Sequence, residues 1–515
     1  MSAPSAPAAI NPVWRVIGAL LVLPALILWL VQLVIPTVRT MIMSLQKSTP
    51  IRTGPSEFVG LVNYSRVFEV VAPALPRTLL FAGPVILISI LLGLLIGSLA
   101  ARGTRPVRMI TRGILGLGLV LYAPVGIALT FDTRLVADPG TAVLALTWIT
   151  TVTLLALPAS AAALVSIAAW RSASGLTTWL AAAGLMLCVG LGLAVQLFAI
   201  PYAVTGGGPN RTTDTLQTLA TTFGFGMMNF GSAAAISVLI GLIAGVFGLL
   251  AVLIILIARL RIEIDPPAQP DHGSGLGWAG LGVAGLFLVI MVVVLAPWLA
   301  GSATPWSDDY SAVILINTWL PSLIGTLIQI VVALAAGFGL GALRPLGRFS
   351  EAGLLIFAPW LLVGAGPLML QHFDFLRQLD LLGTFAGLLP STMISVPALV
   401  GFTLLFAAVR RLRDSGVGVG AAVVPVLGVL LTTFAVLWLT QAQSLLGGLV
   451  GGTTADSMTG PLALATARNR APVDYADLPQ SLSTPLIWLI LLGLGAIAVQ
   501  ALCLDRLRLA TGPHR

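Results

Sequence analysis

A few short stretches hold residue types that chemistry could use. The first is "PYAVTGGGPNRTTDTL" (201–216), where glycines, a proline and several threonines interrupt long apolar runs. A glycine-rich loop can cradle phosphate, but a P-loop needs GxxxxGK[ST] between a strand and a helix, with its lysine reaching the phosphates. Here no lysine follows and no strand precedes, so on composition the loop reads as a turn, with Pro209 fixing one φ. His272, His372 and His514 lie far apart, and Cys188 and Cys503 both sit in apolar runs; neither set has metal or disulfide spacing. No G-x-S-x-G or comparable catalytic signature occurs. No enzyme activity and no cofactor are expected of the chain by itself. Gln196, Tyr202, Trp360 and Gln371 are candidates for lining a solute pathway, and each also suits interfacial anchoring or packing. A charged turn, "VRRLRDSGVGVG" (409–420), offers Arg410, Arg411, Arg413 and Asp414 to a soluble partner.

The elements that must position these residues are set by composition. Of 515 residues, 58% are hydrophobic and 9% charged, with mean hydropathy +1.04. Soluble domains carry roughly 25% charged residues, which makes this a membrane protein. About 20 apolar residues cross the hydrocarbon layer as a helix. Such runs lie near 14–36, 78–100, 110–131, 141–168, 176–200 and 232–258, then near 275–300, 321–342, 349–371, 391–409, 420–441 and 484–504. Backbone polar groups must be satisfied inside the bilayer, so the expected fold is an all-α polytopic bundle of about twelve transmembrane helices. These divide into two six-helix halves, 1–257 and 275–515, joined by a charged, Pro/Gly-rich linker at 258–274.

The net charge of +8 comes from 25 arginines and one lysine, Lys47, against 18 acids. These are scattered over short loops, which argues for topology and against nucleic-acid binding. With the N-terminus inside, the inner regions take Arg102, Arg105, Arg108, Arg112, Arg171, Arg259, Arg261, Arg344, Arg348 and Arg410–Arg413. The positive-inside rule then favours cytoplasmic termini and a cytoplasmic linker in a plasma (inner) membrane of bacterial type. The N-terminus lacks a basic n-region and cleavage site and is expected to be a short tail before a retained helix. Almost no ionisable residue falls inside the expected spans, which disfavours a proton-coupled carrier.

Two stretches of the first half, "FVGLVNYSRVF" (58–68) and "FAIPYAVTGGGPNRTTDTLQTLATTFGFGMMNFGSAAAISVLIGLIAGVF" (198–247), resemble the first permease subunit of binding-protein-dependent carbohydrate ABC importers, the maltose and glycerol-phosphate type. Gly60, Leu61, Asn63 and Tyr64 match that family's GL-x-NY element. Thr205, Gly207, Gly208, Pro209 and Thr213 match its T-x-GGP loop. In the second half, "NTWLPSLIGTLIQIVVALAAGFGLGALRPLGR" (317–348) and "IFAPWLLVGAGPLMLQHFDFLRQLDLLGTFAGLLPSTMISVPALVGFTLLF" (356–406) resemble the partner permease, through Leu382, Gly383, Thr384, Gly387 and Pro390. The resemblance implies a fused permease for a sugar or related small polar solute. It further implies a separate ATP-binding subunit inside, a solute-binding protein outside, and a T-x-GGP loop that is a structural and docking element on the outer face.

The sequence departs from that family at the coupling loop. The family's cytoplasmic EAA–x–x–DGA element would fall in "PASAAALVSIAAWRSASGLTTW" (158–179), where Arg171 is the only charge; the second half also lacks it. A tight hairpin turning around Ser172–Gly175 is expected there, with no protruding helix. Any ATPase would then bind mainly through Arg410, Arg411, Arg413 and Asp414. The segment 442–483 is expected to cap the outer face, carrying Asp456, Arg468, Arg470, Asp474, Tyr475 and Asp477. Two alternatives remain open at this stage: a pseudo-permease acting as scaffold or sensor without ATP coupling, and an ATP-independent transporter or channel.

Overall fold

The computed structural model describes residues 12–50, 56–265, 273–305, 309–470 and 480–512. Long Leu/Ile/Val/Ala runs without charges become helices because a helix satisfies every backbone group within its own segment. The first half runs α1 (Pro12–Trp29), α2 (Ile35–Ser44), α3 (Val62–Ala100), α4 (Arg105–Gly118), α5 (Pro124–Ala128), α6 (Pro139–Leu154), α7 (Ala156–Trp170), α8 (Gly175–Ala194), α9 (Ala199–Val204), α10 (Leu216–Thr221) and α11 (Phe230–Ile257). Beyond the linker follow α12 (Leu276–Val294), α13 (Ala296–Ser302), α14 (Asp309–Phe338), α15 (Ala365–Gln378), α16 (Val396–Asp414), α17 (Gly420–Ala442), α18 (Leu445–Gly451), α19 (Gly460–Arg470) and α20 (Leu486–Ala498).

Among the described residues eight helices are long and apolar enough to cross a membrane, nine if the bent pair α6–α7 counts as one span. Twelve were expected, and three of the expected spans differ. At 110–131, α4 stops at Gly118, and the chain is not helical again until α5 starts at Pro124. At 349–371 three short 3₁₀ turns (Gly347–Phe349, Glu351–Ile356 and Ala358–Trp360) lead into α15. Pro345, Gly347, Pro359 and Gly364 break any longer helix there. At 391–409, α16 ends in Arg410, Arg411, Arg413 and Asp414, so its apolar run of 396–409 covers only about 21 Å.

Four short strands form two antiparallel pairs. Gln46–Lys47 (β1) pairs with Glu57–Phe58 (β2), and Arg261–Ile264 (β3) pairs with Leu507–Ala510 (β4), Ile262 standing opposite Leu509. The β3–β4 ribbon ties the exit of α11 to the exit of α20. Around it gather the arginines that alternating loops assign to one side. Arg171 reaches Asp265, Arg411 donates to the Ile262 carbonyl, Arg506 donates to the Ala421 carbonyl, and Ser274 N–H donates to Arg102 O. The opposite end carries β1, β2 and the 205–215 loop. There Gly231 N–H donates to Ser48 O, and Arg377 donates to Pro50 O.

Helix contacts are made close by small residues. A Cβ on Gly97 of α3 would stand 2.3 Å from the Ser166 Cβ of α7, so glycine is what lets these two helices meet. With 39 residues, α3 is about 58 Å long, more than the hydrocarbon thickness, and therefore projects beyond it. Its first turn holds Asn63 and Tyr64 of the GL-x-NY element, with Gly60 and Leu61 just before it. Asn63 Nδ2 donates to Ser44 O (2.8 Å) and Gln46 O (2.9 Å), and the Tyr64 hydroxyl lies 2.8 Å from Ser44 Oγ. That element pins the end of α2 to the start of α3.

Candidate functional site

The glycine loop is built by its threonines. Thr205 caps α9 with its hydroxyl on Pro201 O (2.8 Å), and the fully buried Thr213 lies 2.7 Å from Thr205 Oγ1 and donates to Gly208 O (2.5 Å). Gly207 has φ +91°, and a Cβ there would collide with the Asp214 carboxylate, so only glycine serves. From α3, Arg77 donates to Arg211 O (2.8 Å), while Thr78 Oγ1 accepts from Leu216 N–H (3.1 Å). Thr215 and Thr218 close a reciprocal capping box on α10. Of the five residues expected to dock a partner, Gly207 and Thr213 are buried, while Thr205, Gly208 and Pro209 are half-buried. Gly206, Asn210 and Arg211 form the exposed face.

The four pathway candidates do not converge. Gln196 clamps the broken segment after Trp360, donating to Leu362 O (2.7 Å) and accepting from Gly364 N–H (2.8 Å). Trp360 donates to Thr37 Oγ1 (3.0 Å) and packs edge-on to Trp29. Tyr202 packs against Phe198, and Gln371 is buried with its amide 3.9 Å from Met43 Sδ. From α10, Gln217 also reaches Gly366 O (3.4 Å). Gln196, Trp360 and Gln217 thus hold the break between the 3₁₀ turns and α15, a positioning role.

Next to α15 lies a cavity of about 190 Å³ with a mixed apolar and uncharged polar lining, walled by α14, α15, α17, α18 and the 388–392 loop. An amide chain crosses it. Gln441 donates to Gln329 Oε1 (2.7 Å), Gln329 donates to Thr392 O (2.7 Å), and Thr326 donates to Gln441 Oε1 (3.4 Å). Asn317 donates to Asp456 O (2.8 Å), and Ser322 and His372 are among the other polar residues of the lining. No residue of the lining is Asp, Glu, Lys or Arg. Burial pushes the His372 imidazole down to about 4, so it is neutral at pH 7. Drug-sized ligands occupy about 300–1,000 Å³, so this cavity fits a smaller solute. Sequence reading missed Asn317, Gln329 and Gln441; the signal was an amide inside an otherwise apolar run.

The segment expected to cap the outer face packs its apolar residues against the bundle. Leu445, Leu446 and Val450 of α18 and Leu462 and Leu464 of α19 are buried in the core, because these apolar residues have no other shelter. Asp456 is exposed; the side chains of Arg468 and Arg470 fall outside the described residues, as do Asp474, Tyr475 and Asp477. The tight turn at Ser172–Gly175 is present, since α7 ends at Trp170 and α8 starts at Gly175. In the corresponding charged turn Arg411 points inward to Ile262 O (3.0 Å), Arg410 pairs with Asp414 (3.4 Å), and Arg413 is exposed. His272 and His514 lie outside the described residues. Among the described residues no group of three His, Cys, Asp or Glu could hold a metal.

No protein-family model matches the chain, and no curated protein matches it in sequence.

Proposed function

We propose that this chain is the membrane-spanning permease component of an ABC-type importer for a sugar or another small neutral polyol, driven by a separate ATPase. The observation that carries the proposal is the uncharged cavity. Amides, hydroxyls and a neutral imidazole line it, and these match a solute that offers hydroxyls and no charge. In this reading the chain is two six-element halves related as a pseudo-repeat. The arginine-rich end faces the cytoplasm, and a solute-binding protein docks on the opposite face at Gly206, Asn210 and Arg211. An ATPase meets the inner face through Arg410, Arg413 and Asp414.

A second reading has its own support. Both turns where a coupling helix would project, after α7 and after α16, are short, which suits a pseudo-permease that serves as a scaffold or sensor. Native purification and flux decide between the two. The permease reading expects an ATPase to copurify and sugar to accumulate in vesicles only with ATP, and expects Gln441→Leu to abolish accumulation while the ATPase is retained. Purification without an ATPase, and vesicles that move no neutral solute, would refute it.

A further inference from the structure

Beside β3 at the arginine-rich end opens a cleft of about 410 Å³. Arg259, Arg261, Arg348 and Arg411 line it, with Glu351 as the one acid in the lining. Leu256, Leu354 and Leu404 supply an apolar wall. Glu263, just outside, accepts from Arg261 (2.9 Å) but is shared with Arg508 (3.7 Å). Arg344 stands 3.9 Å from Glu351. Among the described residues, five arginines therefore face two acids, one of them shared.

A second arginine group at the same ribbon shows what a satisfied version looks like. Arg259-Leu260-Arg261 recurs as Arg506-Leu507-Arg508, and each copy leads into one strand of the ribbon, Arg261 standing opposite Ala510 and Arg508 opposite Glu263. Asp505 immediately precedes the second copy, whereas Ala258 precedes the first. Four residues past Arg261 stands Asp265; four past Arg508 stands Gly512. Those two aspartates neutralise the second group. Asp505 holds Arg108 (3.2 Å), and Asp265 holds Arg171 (2.7 Å) and Arg508 (2.6 Å). At the cleft Arg261 has the Gly512 carbonyl and Glu263, which it shares with Arg508, whereas Arg508 has the Asp265 carboxylate as well. The second arginine group is thus filled by carboxylates from within, whereas the five arginines at the cleft share two acids.

We infer that the cleft binds a phosphate group carried on an apolar body, the chemistry of an anionic phospholipid headgroup. Several arginine forks suit the oxygens of one phosphate. The cleft begins at the last turn of the α11 span, and the neighbouring 3₁₀ turns expose Leu346, Phe349, Leu355 and Ile356 beside Arg348. That is how a segment at the lipid–water boundary presents itself. This inference holds whether or not the chain transports a solute.

The test uses the purified full chain and native mass spectrometry with phosphatidylglycerol or phosphatidylcholine. In a second arm, thermal unfolding in lipid-free detergent is followed with and without millimolar inorganic phosphate. Phosphatidylglycerol should be retained over phosphatidylcholine. Arg259→Gln, which removes an exposed charge, and Ala258→Asp, which supplies the missing acid, should each lower retention about tenfold, the loss of one charge-assisted hydrogen bond. Arg102→Gln, which removes a charge from the same end outside the cleft, should leave retention unchanged. Protection by inorganic phosphate that Ala258→Asp abolishes would uphold the site with free phosphate as its source. Equal retention of both lipids without phosphate protection overturns the inference, and so does an Arg102→Gln loss equal to that of Arg259→Gln.

Discussion

Two polar regions are buried in the same apolar bundle, and only one of them is charged. At the arginine-rich end Asp505 lies among Arg105, Arg108 and Arg171, and Asp265 between Arg171 and Arg508; both aspartate side chains are 6% exposed. Around the cavity of α14 and α17 the polar groups are amides and hydroxyls, bonded in a chain. A charge taken out of water must be paired, and pairing fixes its geometry. The ion cluster therefore serves as a clasp that binds α4, the α7–α8 turn and the two strands together. An amide can exchange one neutral partner for another at a modest net cost. The cavity can consequently trade its internal bonds for those of a solute, and the clasp cannot.

The largest expected effect breaks the charged region. Asp505→Ala strips Arg108 and Arg171 of a carboxylate while leaving both guanidinium groups buried. Breaking one member of a buried pair costs about 3–5 kcal/mol. Thermal melts of the purified variant should show that loss. A loss below about 1 kcal/mol would mean the cluster is hydrated and the clasp is no clasp. Gln441→Leu, on the neutral side, leaves Gln329 Oε1 without its donor and should cost less, about 1–3 kcal/mol, the penalty for one unsatisfied buried group. The comparison fails if the two variants melt alike.

How much of this was legible beforehand follows the physics of each element. Apolar runs of twenty residues announced the long helices because lipid leaves the backbone no alternative. Hydropathy could not separate a span from a helix broken midway. Leu119–Ala123 is as apolar as its neighbours, and its break depends on packing around α4 and α5. Arginine alternation grouped residues 102–112, 171, 259–261 and 410–413 at one end, since each long helix reverses the chain. The pairing of Asp265 and Asp505 with particular arginines was invisible, because it depends on β3 meeting β4 across more than two hundred residues. The five T-x-GGP positions were visible as a turn, but burial of Thr213 behind Gly207 needed the fold. Gln196 and Trp360 suit a solute pathway or packing by residue type alone, and in the fold they hold a helix break and do not line the cavity.

The smallest expected effect sharpens the comparison with a third case, a buried acid that has no close ion pair. Asp214 sits behind Gly207, 6% exposed, and burial raises its carboxyl from 3.8 to about 6; Arg211, Thr218 and Arg77 offset only part of that. Its way to lose its charge is to bind a proton, where Asp505 relies on arginines. Between pH 4 and pH 6 the folded chain holds this proton and the unfolded chain releases it, so the contribution of Asp214 to stability falls as pH rises through that window and stays low above it. Asp214→Asn removes the titration and can keep a hydrogen bond to Thr218. The variant should melt close to the parent near pH 4 and above it at pH 7.5, with the gap opening between those values. Linkage caps the increase at about 3 kcal/mol, and solvent at the exposed rim of the loop screens part of it, so the increase should stay below the Asp505→Ala loss. A gap that is constant with pH, or one that closes as pH rises, would show that Asp214 is ionised in the folded loop and paired after all.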